Sequence, residues 1–433
     1  MHKKKQIKIV INCALHRNRK CDNIQLYRTA FNNTEHKIRS RKESNAVSGC
    51  EKVFHTMKEK GMDLAVLIDP ADIKYVSGFE VPFWPAWMGD VSNGLPMVTA
   101  IVDAKREQVQ LVASDMYRNK IIRTGITNAF YFRSFTHLEN NDVDDNYKSN
   151  MEHALGEAAD GRNSLVVGIE ENYIPECTMS VIRKVIPQCT FENATQVLRS
   201  ARYIKTIEDI RGLAEAARVA DAAQEKLYEI SQNEGNYTEL DIWFEVQKAA
   251  SHAAGCLTPF VGELVTGPNT GLSDYPLGPT SRKVERGDIS IMDISPRVNG
   301  YWADCSNSVV FWAKPNEEQL RYFNAVRDAF ETGMEAIYPG RKFSEVNEIM
   351  KKVYEKHNMT FCSYQGHQIG CNVNENPRFT FVDDSVIEEN MVVCIEPQMY
   401  TGKQGKTGVR LERMLHVTAN GAVALNKFPW GIH

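Results

Sequence analysis

"ISIMDISPRVNGYWADCSNSVV", residues 289–310, holds two apolar runs separated by Asn299-Gly300. That dipeptide favours a tight hairpin turn, because both positions accept a positive φ. Asp293 ends the first run, an almost wholly apolar strand, and Asp304 lies within the second. A carboxylate in a strand that otherwise reads as core is costly unless it is paired, hydrogen-bonded or bound to metal.

The anomaly recurs towards the C-terminus. Glu396 interrupts "MVVCIEPQM" (391–399) and Glu412 interrupts "VRLERMLHV" (409–417). Between the two regions lies "GHQIGCNVNENP" (366–377), with His367 in a glycine-bracketed apolar stretch. Any one of these residues alone reads as a strand end or a salt-bridged group. Four acids and a histidine together read as a ligand set for two divalent ions. Carboxylates suit Mn²⁺ and Mg²⁺, and one imidazole also admits Fe²⁺, Co²⁺ or Zn²⁺. Such a pair of ions can activate a water and stabilise the oxyanion formed when it attacks a carbonyl.

Working outward, the chain of 433 residues suggests two or three domains. A hydrophobic content of 42% with 24% charged residues is that of a soluble globular protein. The net charge of −4 gives no reason to expect a nucleic-acid groove or a membrane surface. No apolar run is long enough to span a bilayer. The ten cysteines form no C-x-x-C pair, which suits a reducing, cytoplasmic setting. Cys305, Cys371 and Cys394, close in sequence to the candidate ligands, read as small buried hydrophobes. Residues 1–43 form a basic extension containing "IKIVINCAL". It resembles a weak secretory signal or targeting presequence but is short and broken by Lys8 and Asn12, and the expectation is a disordered basic arm or an extension outside the fold.

Residues 44–195 alternate helix and strand and read as a small α/β domain. Within them, "DLAVLIDPADIKYVSGF" gives a buried strand, a turn at Asp69-Pro70 and a second short segment. Residues 200–433 read differently. Helices open at Thr206/Asp209 and Thr238/Asp241, and strands follow. A second pair of helices, Asn316–Gly340 and Ser344 to about His357, is again followed by strands. Helix, helix, strands, twice over, suggests an internal duplication. A crevice shared by two such units is a natural place for a site.

The order Asp293, Asp304, His367, Glu396, Glu412 resembles the ligand order of the creatinase and Xaa-Pro peptidase family, the pita-bread metallopeptidases. "MDISPRVNGYWADC" is similar to that family's D-x-G-x-x-x-x-G-Y-x-x-D hairpin, and "GHQIG" to its G-H-G-I-G. "IEPQMY" and "GVRLE" resemble its E-P and V-R-x-E segments. "DPADIKYVSGF" (69–79) and "KFPWG" (427–431) look like the N-terminal domain and the tail of the creatinase branch. The fold this implies is α/β (α+β), a creatinase-like N-terminal α/β domain followed by a pseudo-twofold pita-bread catalytic domain. It implies metal ligation by all five residues, two divalent ions (Mn, Fe, Co or Zn) and a homodimer. It also implies a small-molecule or dipeptide substrate, no nucleic acid and no membrane.

Two departures qualify the resemblance. Where proline-cleaving members carry histidines, "GPNTGLSDYP" (267–276) has Asp274 and "GHQIGCNVNE" has Asn374. Asn374 can donate a hydrogen bond but cannot carry a proton. An ionised Asp274 would repel an oxyanion and could hold a cationic group or act as a base. Both are expected to be catalytic. Trp84 and Trp87 in "VPFWPAWMGD" (81–90), next to an acid, could cage a cationic head group. They and Arg410 are expected to bind substrate. The leading expectation is a dinuclear hydrolase of a C–N bond in a small cationic or zwitterionic amide, amidine or dipeptide. The alternatives are an Xaa-Pro dipeptidase, a metal-dependent lyase of a small zwitterion like dimethylsulfoniopropionate lyase, and a non-catalytic binding member of the fold.

Overall fold

A computed structural model describes residues 48–82, 95–136, 138, 140–272, 278–401 and 406–432. Residues 1–43, Trp84, Trp87 and Asp274 lie outside the described residues.

The first part is one mixed sheet with helices around it. Helix α1 (Gly49–Glu59) starts on a capping box between Ser48 and Glu51 and buries Val53, Phe54 and Met57. Strand β1 (Leu64–Leu67) follows, buried along its length. The short segment after Asp69-Pro70 is helix α2 (Pro70–Ser77). Asp69 accepts the Ala71 amide at its N-terminus, and Gly78 closes it at a φ of 74°. Next come β2 (Val98–Asp103), β3 (Gln108–Ser114), α3 (Arg118–Arg123), β4 (Ala129–Phe132), α4 (Val143–Ala159), β5 (Val166–Ile169), α5 (Glu176–Val185), β6 (Thr190–Asn193) and α6 (Thr195–Tyr203). The sheet order is β4-β3-β2-β1-β5-β6. The pairs β1–β2 and β2–β3 are antiparallel, while β1–β5, β3–β4 and β5–β6 are parallel.

The second part repeats one plan. Helices α7 (Ile207–Gln232) and α8 (Glu239–Ala254) both begin on the expected capping boxes, Thr206/Asp209 and Thr238/Asp241. They precede β7 (Phe260–Thr266), β8 (Ser290–Val298), β9 (Tyr301–Trp302) and β10 (Cys305–Asn307), with β8 at the centre of an antiparallel sheet. Helices α9 (Glu317–Ala336) and α10 (Phe343–Lys356) precede β11 (Gly366–Gln368), β12 (Glu375–Arg378), β13 (Val392–Ile395), β14 (Gln398–Tyr400), β15 (Gly408–Arg410), β16 (Arg413–Thr418) and β17 (Gly421–Ala424). The second sheet runs β12-β11-β13-β16-β17, and β14 pairs with β15.

The duplication reaches individual residues. Gly262 in β7 (φ 137°) and Gly366 in β11 (φ 138°) share a conformation that side chains avoid. A Cβ on Gly262 would meet the Asp293 carbonyl oxygen at 2.0 Å, and one on Gly366 would meet that of Cys394 at 2.1 Å. Gly262 and Glu263 lie opposite Ile294 and Asp293, while Gly366 and His367 lie opposite Ile395 and Cys394. Glu263 is therefore the internal counterpart of His367. One core cluster joins the parts, taking Val53, Ala100 and Leu198 together with Leu213, Met292, Cys394 and Met414.

Candidate metal centre

The five singled-out side chains converge. His367 points its Nε2 at three carboxylates, with Asp304 Oδ2 at 3.4 Å, Glu396 Oε1 at 3.7 Å and Glu412 Oε1 at 4.0 Å. Asp293, Asp304 and Glu412 each place one carboxylate oxygen within 4.8 Å of the others'. Asp293 stands in the middle of β8 rather than at its end, and Asp304 falls in the break between β9 and β10. Glu396 and Glu412 likewise sit at breaks, between β13 and β14 and between β15 and β16. At a break the side chain is freed from strict alternation, so neighbouring chain segments can turn carboxylates towards one point.

Neighbouring groups fix the orientation of each ligand candidate. His367 Nδ1 lies 2.8 Å from the Gln368 carbonyl oxygen, which holds a proton on Nδ1 and turns Nε2 towards the acids. Ser295 Oγ donates to Asp304 Oδ1 (3.0 Å) and Ser306 Oγ to Glu412 Oε2 (3.2 Å). Arg410 is buried and donates from Nη1 to Asp293 Oδ2 at 2.5 Å. The same nitrogen lies 2.9 Å from Glu263 Oε1, and Nη2 reaches the Tyr400 hydroxyl. Arg410 thus commits Nη1 to a ligand candidate and to Glu263 and Nη2 to Tyr400.

The electrostatics are those of a cation site. Burial, then the charge of Asp293, pushes Asp304 up to about 7 against the pull of His367. Glu412 is raised well above its ordinary value by burial and by Asp304, Glu396 and Asp293. Burial also raises Glu396, against His367 and Arg410. Burial acts to lower His367, but its hydrogen bond to Asp304 and the charges of Glu396 and Asp304 prevail and raise it. Glu412 Oε1 is buried without a hydrogen-bond partner. A carboxylate oxygen without a hydrogen bond, an imidazole nitrogen aimed at acids and crowded negative charge are all relieved by a divalent cation. The residues present fit the group.

Asn374 reaches the centre indirectly. Its Nδ2 donates to the Tyr364 hydroxyl at 2.9 Å. Tyr364 is hydrogen-bonded to Glu396 and lies parallel to the His367 ring at a centroid distance of 6.4 Å. Burial and the charge of Glu396 raise the Tyr364 phenol, so it keeps its proton. Cys305, Cys371 and Cys394 are buried thiols, with Cys371 pushed up to about 12 by burial. Cys394 nonetheless offers its sulfur within 4.8 Å of His367 and Glu412 ligand atoms.

Sequence reasoning missed three residues. Glu263 stands in the apolar strand "GELVT" and meets the criterion that found the other acids. Tyr364 and Tyr400 carry no comparable signal, because their roles depend on neighbours distant in sequence.

Residues 211–419 match metallopeptidase family M24, and residues 50–204 match the creatinase/prolidase N-terminal domain. An Xaa-Pro dipeptidase of Pyrococcus furiosus is 30% identical over 241 residues, which are 55% of this chain and 67% of the relative. The crystal structure of a dipeptidase from Pyrococcus horikoshii superposes with a TM-score of 0.72 at 21% identity, covering 89% of this chain and 99% of that one. The N-terminal domain of FACT complex subunit SPT16 from chickpea superposes with a TM-score of 0.65 at 14% identity, covering 89% and 97%. At these identities the structural likenesses concern the fold alone.

Proposed function

We propose, for a chain that belongs to metallopeptidase family M24 and is a metal-dependent hydrolase, that Asp293, Asp304, His367, Glu396 and Glu412 hold two divalent ions and that it cleaves the C–N bond of a dipeptide or dipeptide-sized zwitterion. Its fold is the expected one, a creatinase-like N-terminal domain followed by a pita-bread catalytic domain. The observation that carries the proposal is the convergence of five side chains on one point with Glu412 Oε1 left without a hydrogen bond. When bound, the ions supply Lewis acidity, polarising an amide carbonyl and lowering the proton affinity of a water.

The chain's own residues do the rest. Arg410 locks Asp293 in place, and Glu263 steadies the guanidinium from the other side. Glu396, raised by burial and tied to Tyr364, is placed to accept a proton from the attacking water and return it to the leaving nitrogen. Asn374 holds the Tyr364 hydroxyl so that its proton faces Glu396. Arg410 acts here as a positioning residue rather than a substrate contact. Asp274, Trp84 and Trp87 enter on sequence grounds alone, as contacts for a cationic substrate group. A homodimer in the cytoplasm, divided at about residue 200, completes the reading.

The test is metal analysis of the purified protein with a screen of Xaa-Pro and other dipeptides beside small zwitterionic amides and amidines. Close to two equivalents of metal, lost in Asp304→Ala, and cleavage of at least one class are expected. Metal content unchanged in Asp304→Ala would refute the ligand set.

A further inference from the structure

Residues 426–432, which contain "KFPWG", lie across both halves of the duplicated domain. In the first half, Asp221 of α7 accepts the Asn426 side-chain amide at 3.1 Å and the Lys427 N–H at 2.9 Å. Asn307 of β10 is fully buried and grips the segment twice. Its Nδ2 donates to the Pro429 carbonyl and its Oδ1 accepts the Gly431 N–H, each at 3.1 Å. Gly431 lies so close to Ser308 and Val309 that a side chain there would collide with both. In the second half, Asn426 Oδ1 accepts the Met414 N–H at 2.9 Å, and Arg413 donates to the Phe428 carbonyl. The Arg413 guanidinium also lies 3.9 Å from the centroid of the Trp430 ring. Trp430 meets Phe330 of α9 edge-on at a centroid distance of 5.1 Å and packs against three hydrophobic clusters.

We propose that residues 426–432 are a strap that sets how tightly the candidate centre binds metal, with Asn307 and Arg413 as positioning residues. The proposal rests on the metal-centre reading. Both anchors stand back to back with the centre. Arg413 directly follows Glu412, and Asn307 directly follows Ser306. Ser306 holds Glu412 twice, through its hydroxyl to Oε2 at 3.2 Å and through its carbonyl, which accepts the Glu412 N–H at 2.9 Å. Successive side chains of a strand point to opposite faces, so Ser306 turns to Glu412 while Asn307 turns to the strap. The ligand candidates themselves are divided. Asp293 and Asp304 come from the first half, and His367, Glu396 and Glu412 from the second. A site shared in this way keeps its geometry only as well as the two halves hold each other. The strap ties β10 to the start of β16 from behind, and it acts through Ser306 and Glu412 rather than as a ligand.

Calorimetric titration of the metal-free full chain with Mn²⁺ measures Kd in wild type, Trp430→Ala, Trp430→Phe and Arg413→Met, with Asp304→Ala as the control for the centre. Urea unfolding of the metal-free proteins accompanies it. Trp430→Ala and Arg413→Met should each weaken Mn²⁺ binding roughly tenfold or more, as loss of groups that orient metal ligands from behind does. Trp430→Phe keeps an aromatic face for Arg413 and should recover most of the affinity. A segment that only adds stability would instead lower the urea midpoint and leave Kd unchanged in the folded protein. Wild-type Kd in folded Trp430→Ala and Arg413→Met therefore overturns the strap, and leaves the metal centre standing if Asp304→Ala loses its Mn²⁺. Should Trp430→Ala fail to fold, Arg413→Met decides by the same Kd, since the Arg413 side chain is only partly buried. Mn²⁺ that does not bind wild type, or binds Asp304→Ala equally well, removes the metal centre and the strap with it.

Discussion

Glu412→Gln should act in opposite directions on the metal-free and metal-loaded protein. Glu412 is 1% exposed, its Oε1 has no hydrogen bond, and burial with three nearby acids raises its proton affinity well above the ordinary value of 4.5. Two unit charges 4.8 Å apart repel by about 3–4 kcal/mol at an effective dielectric of about 20. The metal-free protein escapes this repulsion by taking up a proton, which limits the penalty. Keeping a carboxyl of ordinary value 4.5 neutral costs at most about 3 kcal/mol at pH 7 and about 1 kcal/mol at pH 5. A glutamine keeps the shape and removes that cost. Metal-free Glu412→Gln should therefore be more stable than metal-free wild type, by up to about 3 kcal/mol at pH 7 and by less at pH 5. The loaded protein should behave oppositely. Wild type gains about 2.7 kcal/mol when metal stands at a hundred times its Kd, and the variant should lose that gain with its metal. Urea unfolding with and without EDTA at the two pH values, beside metal analysis, measures both arms. A variant that binds metal normally, or is less stable than wild type without it, would refute the cation-site reasoning.

Three further outcomes follow from the same geometry. Arg410→Met leaves Asp293 and Glu263 without their guanidinium and should cost about 3–5 kcal/mol in urea unfolding, with partial recovery when Glu263→Gln is added; full stability in the single variant would contradict the pairing. Tyr364→Phe cuts the connection between Asn374 and Glu396, so kcat should fall roughly tenfold with metal content unchanged, as steady-state kinetics and metal analysis would report. Glu170, pushed up to about 9 by burial and by Asp72 beside it, holds a proton in the folded chain that the unfolded chain releases above its ordinary value of 4.5; its contribution to stability thus falls as pH rises between those values, Glu170→Gln should flatten the decline in Tm from pH 5 to 8.5, and parallel curves would count against it.

Sequence alone determined a good deal about this protein. Acids in apolar runs are anomalous wherever the chain folds, because burying an unpaired charge is costly in any interior. Asp293, Asp304, Glu396 and Glu412 were legible for that reason. The helix starts at Thr206 and Thr238 were legible because a capping box is complete within four residues. Only the tertiary structure decided what each polar group faces. Arg410 carries the motif of its segment, but it takes two partners more than a hundred residues away, Asp293 and Glu263, and both engage its Nη1. Asn374 could be named as an amide in place of a histidine. That it holds Tyr364, and through it Glu396, follows from the antiparallel pairing of β11 with β12 and β13, which brings these segments together. Glu263 shows the remaining limit. Its place as the internal counterpart of His367 rests on matching register in two sheets, and register is set by long-range pairing that no local stretch of sequence contains.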